Sequence, residues 1–555
     1  MKRSLTLLGV GLVLGASLMF AAFSSANSDI TKKTIQHAAN IIGLEFTSAE
    51  QDSMISSLEN LRETYQMMRE REIPNHIPPA IQFNPVPLGK TFETVQYPVE
   101  FDIPVNVDLP ENSEKLAFCT VAELASLIKQ KKISSVELTE FFLNRIALHG
   151  DTLEAIIKVT RERAMTQAKK LDIELANGNY RGPLHGIPYG LKDLFAVKGT
   201  KTTWGATPYK DQEIDVTATV VEKLDEAGAI LIAKTTLGAL AYGDVWFGGK
   251  TRNPWNLEQG SSGSSAGSAS GTAAGLFPFA LGTETLGSIV SPSTRNGATG
   301  LRPTYGRVSR HGAMALSWTM DKVGPITRSA EDLAIVFNAI YGPDEMDQTL
   351  IDLPFNYDQN IDWKTLKIGY HKSAFDSDYY NHERDSVSLA VLESLGANLV
   401  PIELPDIPAG QLTFILTAEA AAAFDDLTRS NEDDEMVWQE RNAWPNLFRA
   451  HRFVPAVEYI QANRIRYQLI QEMETIMQEV DLYITPAFAG GNLYVTNLTG
   501  HPSVVVPNGF NENGGPVSIT FTGDLFDEGT IIKVAKAYQK ATAFDEQHPP
   551  MFSGE

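Results

Sequence analysis

A mid-chain run, Gly260-Ser-Ser-Gly-Ser-Ser-Ala-Gly-Ser-Ala-Ser-Gly271, contains only glycine, serine and alanine. Alone it admits three readings. As a flexible linker it is poorly placed, because the apolar run Ala273–Leu281 follows almost at once. As a phosphate cradle it lacks the Gly-Lys-Ser/Thr that should end such a loop. As a nucleophile elbow, Gly263-x-Ser265-x-Gly267 fits the G-x-S-x-G pattern, but an elbow needs a buried strand just ahead of it. The lead-in here, Thr251-Arg-Asn-Pro-Trp-Asn256, reads as loop.

The surrounding sequence predicts an α/β fold. Thr219–Ala227 reads as a helix and Gly228-Ala-Ile-Leu-Ile-Ala233 as a buried strand. Ser386–Leu395 followed by Ala397–Ile402 repeats the unit. Helix and buried strand in alternation imply a sheet covered on both faces. Thr120 with Glu123, and Ser134 with Glu137, fit capping boxes, and Gly150 is expected to stop the second helix near Leu148. Residues 411–480 are patterned as helix. Strand signals return at Asp481–Thr485 and Ser503–Val506, with a last helix near 530–542. Residues 30–72 read as helical, and the prolines at 74, 78, 79, 85 and 87 predict an extended stretch over 73–112. The expected organisation is a signal peptide at 1–26, an N-terminal extension at 27–112, a main domain at 113–545 and a tail at 546–555.

The chain of 555 residues can bury a large core. A formal net charge of −22 argues against a surface that tracks phosphates, which must be basic; no nucleic-acid partner is expected. Lys2 and Arg3 precede a nearly unbroken apolar stretch, Leu5–Phe23, and then the small residues Ser24 and Ala26. That order predicts a secretory signal peptide and an exported, periplasmic or secreted protein. The stretch is also long enough to anchor the chain in a bilayer if it is not cleaved. Cys119 is the only cysteine, so no intramolecular disulfide can form, and burial is a better reading for it than nucleophilic chemistry.

Two further segments change the meaning of the Gly/Ser run: Gly182-Pro-Leu-His-Gly-Ile-Pro-Tyr-Gly-Leu-Lys192-Asp193 upstream, and Gly282-Thr-Glu-Thr-Leu-Gly-Ser-Ile-Val-Ser-Pro292 downstream. In this order the three segments resemble the amidase signature family. The likeness continues through Gly300–Arg310 and Asp321–Arg328 and is fainter at Asp481–Pro486 and Asn497–Pro507. It implies a three-layer α/β/α fold around a mixed, twisted sheet, with an N-terminal helical extension. It also implies a Ser–cis-Ser–Lys relay. Matched residue by residue, Ser288 is the nucleophile, Ser264 the bridging serine after a cis Gly263–Ser264 peptide, and Lys192 the base. The backbone N–H groups of Thr285, Leu286, Gly287 and Ser288 fall on the oxyanion-hole positions, with Ser265 and Thr283 in support. The implied reaction is hydrolysis of a small carboxamide to acid and ammonia or amine, with no metal and no organic cofactor.

The chemistry explains why such residues are needed. An amide is a poor electrophile and a serine hydroxyl a weak nucleophile. A solvated lysine, with a pKa of about 10.4, cannot take the serine proton at neutral pH. A lysine buried without a carboxylate can. The bland alternative is an ion pair between Lys192 and Asp193. Departures from the family pattern fall on specificity: Ala266 and Leu286 stand where smaller residues are usual, and Val290 replaces an arginine. Leu286 must then keep a negative φ.

Other readings were weighed. An esterase built on Ser265, with His185-Gly186 as oxyanion motif, would leave Lys192 and Ser288 unexplained. The ten histidines show no H-x-x-x-H pair, so a zinc site is not expected. His185, His311 and His501 read as structural, and Arg302, Arg307 and Arg310 as salt-bridge partners. The same motifs also resemble the A subunit of a tRNA-dependent amidotransferase. A non-catalytic binding protein on an amidase scaffold is the alternative from outside enzymology. The sequence leaves the oligomeric state open between monomer and homodimer.

Overall fold

The computed structural model describes residues 29–357 and 362–554. The segment read as a signal peptide lies outside the described residues. Those that are described divide between Pro74 and Asn75 into two compact units.

The first unit is a helical hairpin. Thr31 caps helix Lys32–Ile41, and Thr47 with Glu50 forms a capping box that opens helix Ser48–Arg69. Gln51 links the two helices by donating to Gln36 and to the Phe46 carbonyl.

The second unit is built on one eleven-stranded mixed sheet flanked by helices. Its strands in chain order are β1 (Ile156–Val159), β2 (Pro188–Lys192), β3 (Ile230–Thr235), β4 (Phe279–Glu284), β5 (Thr299–Arg302), β6 (Lys322–Thr327), β7 (Lys367–His371), β8 (Asn398–Ile402), β9 (Leu482–Pro486), β10 (Ser503–Phe510) and β11 (Pro516–Gly523). In space they run β1-β3-β2-β4-β6-β5-β10-β11-β9-β7-β8. The β3-β2-β4 group is parallel, β6 lies antiparallel to β4, and β9-β7-β8 is parallel again. Every residue of β2, β3, β4, β6 and β9 is buried. Unbroken burial, rather than alternation, is what a sheet covered on both faces requires.

Residues 75–112, grouped by sequence with the extension, contain no regular helix or strand and belong to the second unit. Asn75 bonds to the backbone of Ala315, Lys90 to Glu474 and Asp524, and Gln96 to Phe355. Both expected capping boxes at 120 and 134 form. Gly150 does not end its helix, which runs from Ser135 to Leu153 and closes on Glu154 with φ of +49°. Gly150 instead sits buried, where a side chain would meet Ile146 and Ile156. Region 411–480 is helical with breaks, ending in the long helix Ala456–Met477. Among the described residues no helix is long and apolar enough to cross a membrane.

The Gly/Ser run is neither linker nor cradle. Its second half forms the buried helix Ala266–Ala273, packed tightly on the sheet. Small residues are needed there: a Cβ on Gly271 would lie 2.3 Å from Phe277 Cζ. Gly271→Val should therefore lower the thermal melting midpoint, through an overpacking cost of about 1–3 kcal/mol. An unchanged melting curve would contradict this packing.

Candidate active site

Strand β2 carries Lys192 at its C-terminal end, beside β3 and β4. The side chain is fully buried. Its Nζ lies 2.8 Å from Ser264 Oγ, 3.0 Å from Ser265 Oγ and 2.9 Å from Thr283 Oγ1. Among the described residues no carboxylate reaches it. Burial pushes its pKa well below that of an ordinary lysine, against a weaker opposing pull from Asp321 and Glu284.

The Lys192–Asp193 ion pair weighed from sequence does not form. Asp193 bonds to Lys234 at 2.6 Å, with both side chains fully buried, and accepts from the Thr203 N–H and hydroxyl. The nearest carboxylate in sequence is thus committed elsewhere, and the lysine amine is left among hydroxyls.

The Gly263–Ser264 peptide is cis, as the pattern implies. Ser264 is buried. Ser265 accepts from the Thr283 N–H and donates to the Thr283 carbonyl, both at 3.1 Å, which ties the Gly/Ser segment to β4. The Ser265 N–H donates to the Ser288 carbonyl at 3.2 Å. Ser288 itself is half-buried. The structure thus brings Lys192, Ser264, Ser265 and Thr283 into one hydrogen-bonded cluster and sets Ser288 beside it. Among the described residues, no hydrogen bond joins the Ser264 and Ser288 hydroxyls.

Residues 285–288 form the turn between β4 and helix Val290–Asn296. Among the described residues, the N–H groups of Thr285, Leu286, Gly287 and Ser288 donate to no acceptor. The turn's positive φ, +86°, falls on Gly287, so Leu286 keeps the negative φ required of it. Val290 is buried against Ala487 and Val505, which leaves no cation at that position.

The amidase family model matches residues 137–492. The A subunit of glutamyl-tRNA(Gln) amidotransferase from Geobacillus kaustophilus is 35% identical over 480 residues, covering 78% of this chain and 98% of that subunit. The chain belongs to the amidase family. The peptide amidase of Stenotrophomonas maltophilia superposes with a TM-score of 0.69 at 29% identity, over 78% of this chain and 98% of that one. A bacterial aryl acylamidase, at 24% identity, shares the fold with a TM-score of 0.71 over 79% and 99% of the two chains. The protein is an amidase of the signature fold, a hydrolase acting on amide C–N bonds.

Sequence reading missed what holds the amidase turn in place. Glu284, the last residue of β4, accepts from the N–H groups of Ile289 and Val290 at 2.9 Å. Its other oxygen takes Arg302 at 2.9 Å and Asn497 at 2.8 Å. Asp321 accepts from the Thr285 hydroxyl at 2.6 Å and from the N–H groups of Leu316 and Ser317. The signal was present for Glu284: an acid inside a matched strand segment is rarely buried unpaired, and arginines follow at 302, 307 and 310. All three pair as expected, with Glu284, Glu528 and Asp347. His185 and His501 are buried and bonded within the framework, and burial pushes Cys119 up to about 11. Among the described residues, no group of three or more His, Cys, Asp or Glu side chains is arranged to hold a metal ion.

Burial alone would raise the Glu284 carboxyl, but Arg302, the Val290 N–H and Lys322 outweigh it and bring it down to about 2 from 4.5. A carboxylate with a depressed folded pKa stabilises above its unfolded value and loses that stabilisation as pH falls. The contribution, of order 3 kcal/mol, should be complete above about pH 4.5 and vanish as pH falls through about 2. Urea unfolding followed by circular dichroism between pH 5 and 2 should show this loss. Glu284→Gln should flatten that window and cost about 3–5 kcal/mol at neutral pH, because it leaves Arg302 buried without its partner.

Proposed function

We propose that this amidase cleaves a small carboxamide through an acyl-enzyme on Ser288. The observation that carries the reading is a lysine fully buried among hydroxyls, with no carboxylate partner among the described residues. Neutral Lys192 draws the proton of Ser264, which draws that of Ser288, and the Ser288 oxygen attacks the amide carbon. The unpaired N–H groups of residues 285–288 receive the developing oxyanion. Such donors are worth about 10²–10³ in rate each. Collapse of the tetrahedral intermediate returns the relayed proton to the leaving nitrogen, and water then hydrolyses the ester by the same route.

A fluorophosphonate should label Ser288, and Ser288→Ala should abolish both label and turnover. Lys192→Ala should lower kcat by about 10²–10⁴. Because burial lowers its pKa, Lys192 stays neutral to lower pH than a free lysine. The rate should fall on acidification, with a midpoint well below about 10.4. Full activity in Lys192→Arg would sink the assignment.

The likeness to the amidotransferase A subunit supports a second reading, in which the chain releases ammonia to a partner. The N-terminal sequence favours a different setting. We propose export, with residues 1–26 as signal peptide and 27–112 as an N-terminal extension whose residues from 75 onward pack on the catalytic domain at 113–545. N-terminal sequencing of the mature protein from an extracytoplasmic fraction should begin near Asn27. An intact Met1 in the cytoplasm would favour the amidotransferase reading instead.

A further inference from the structure

Around the buried Lys192 and Ser264 lies a rim of half-buried groups, including Tyr242, Gly243, Gly263, Leu286, Ser288 and Leu493. A Cβ on Gly263 would lie 1.8 Å from the Gly243 carbonyl oxygen, so Gly243 abuts the Gly263–Ser264 peptide. A Cβ on Gly243 would in turn lie 3.7 Å from Trp438 Cζ3. Trp438 stacks on Tyr242, with centroids 5.3 Å apart and ring planes 22° from parallel. Tyr242 also packs on Trp444 at 5.2 Å. Trp444 is buried, while Tyr242 and Trp438 are half-buried and keep ring surface available.

The turn bearing Tyr242 is held under strain. Leu240 and Ala241 have φ of +50° and +60°, values that side-chain-bearing residues keep only where their surroundings enforce them. The Trp444 indole N–H donates to the Leu240 carbonyl at 2.8 Å. At the 285–288 turn the neighbours are also apolar: Leu286 is half-buried, and a Cβ on Gly287 would lie 3.1 Å from Leu493 Cδ2. The adjoining acids are already committed, Asp244 to the Ser262 N–H and Asp321 to Thr285, Leu316 and Ser317.

We propose that Tyr242 and Trp438 determine specificity, and that the substrate is an uncharged amide bearing an aromatic ring that packs on Trp438. The inference rests on Ser288 as nucleophile. A flat ring gains buried area and favourable aromatic geometry on such a wall. A zwitterion such as glutamine would set its charges against apolar groups that cannot pair them.

The test uses the full chain and ammonia release from phenylacetamide, hexanamide, acetamide and glutamine, with fluorophosphonate labelling of Ser288 run in parallel. Phenylacetamide should exceed hexanamide in kcat/KM by about tenfold or more, and glutamine should be the poorest of the larger substrates. Trp438→Ala should lower kcat/KM for phenylacetamide by about 10–100-fold more than it lowers that for acetamide. Trp438→Phe should restore most of the preference. Wild-type protein that labels at Ser288 yet shows no aryl preference, or a preference unmoved by Trp438→Ala, overturns the specificity assignment and leaves the nucleophile intact. Wild-type protein that neither labels at Ser288 nor releases ammonia overturns both. If Trp438→Ala fails to fold, the wild-type ratio together with Tyr242→Leu decides the question.

Discussion

Burying an amine among hydroxyls, with no carboxylate to pair it, is costly unless the amine gives up its charge. Lys192 sits in that position, and the strands and turns around it are arranged to keep it there. The arrangement begins with its neighbour. Asp193 follows directly in the chain, in the turn that begins where β2 ends. There it bonds to Lys234, with which it forms a wholly buried pair. The neighbouring ends of β2 and β3 thus hold two lysine environments. Lys234 is charge-compensated, while among the described residues Lys192 meets Ser264, Ser265 and Thr283 and no carboxylate.

The turn that follows β4 depends on the same economy of charge. Among the described residues its N–H groups meet no acceptor. Glu284 and Asp321 do the holding from behind. Glu284 caps the start of helix Val290–Asn296, and Asp321 grips the Thr285 hydroxyl. Glu284 in turn is neutralised by Arg302, and Asn497 takes its remaining lone pair. This network ties β4, β5 and helix Asn492–Thr499 together at one point, so that the geometry of the turn is set by the sheet rather than by the turn's own residues.

Much of this could be read beforehand where the signal was local. Two capping boxes, the helix–strand unit at 219–235 and the terminal helix follow from short-range hydrogen bonding and periodicity, and the structure has them. Gly150 was misread because a glycine ends a helix only where the chain turns at it. Here the helix continues to Leu153, and the positive φ that closes it falls on Glu154. Strands β5, β6 and β11 were not read from sequence at all, since short or glycine-bearing segments gain their strand character from ladders to distant partners. The aromatic wall was equally invisible, because Tyr242 and Trp438 lie far apart in the chain and only packing brings their rings together.

The sequence by itself determined the chemistry available: a lysine, two serines and a glycine-bearing turn in a fixed order, which reside in residue identity and local spacing. The cis Gly263–Ser264 peptide followed only from the resemblance to a known family. Tertiary structure alone decided that Asp193 pairs with Lys234 and not with Lys192, which side chains brace the 285–288 turn, and which rings stack together. Those outcomes depend on distances between segments well separated in the chain, and no local pattern encodes such distances until the sheet has closed.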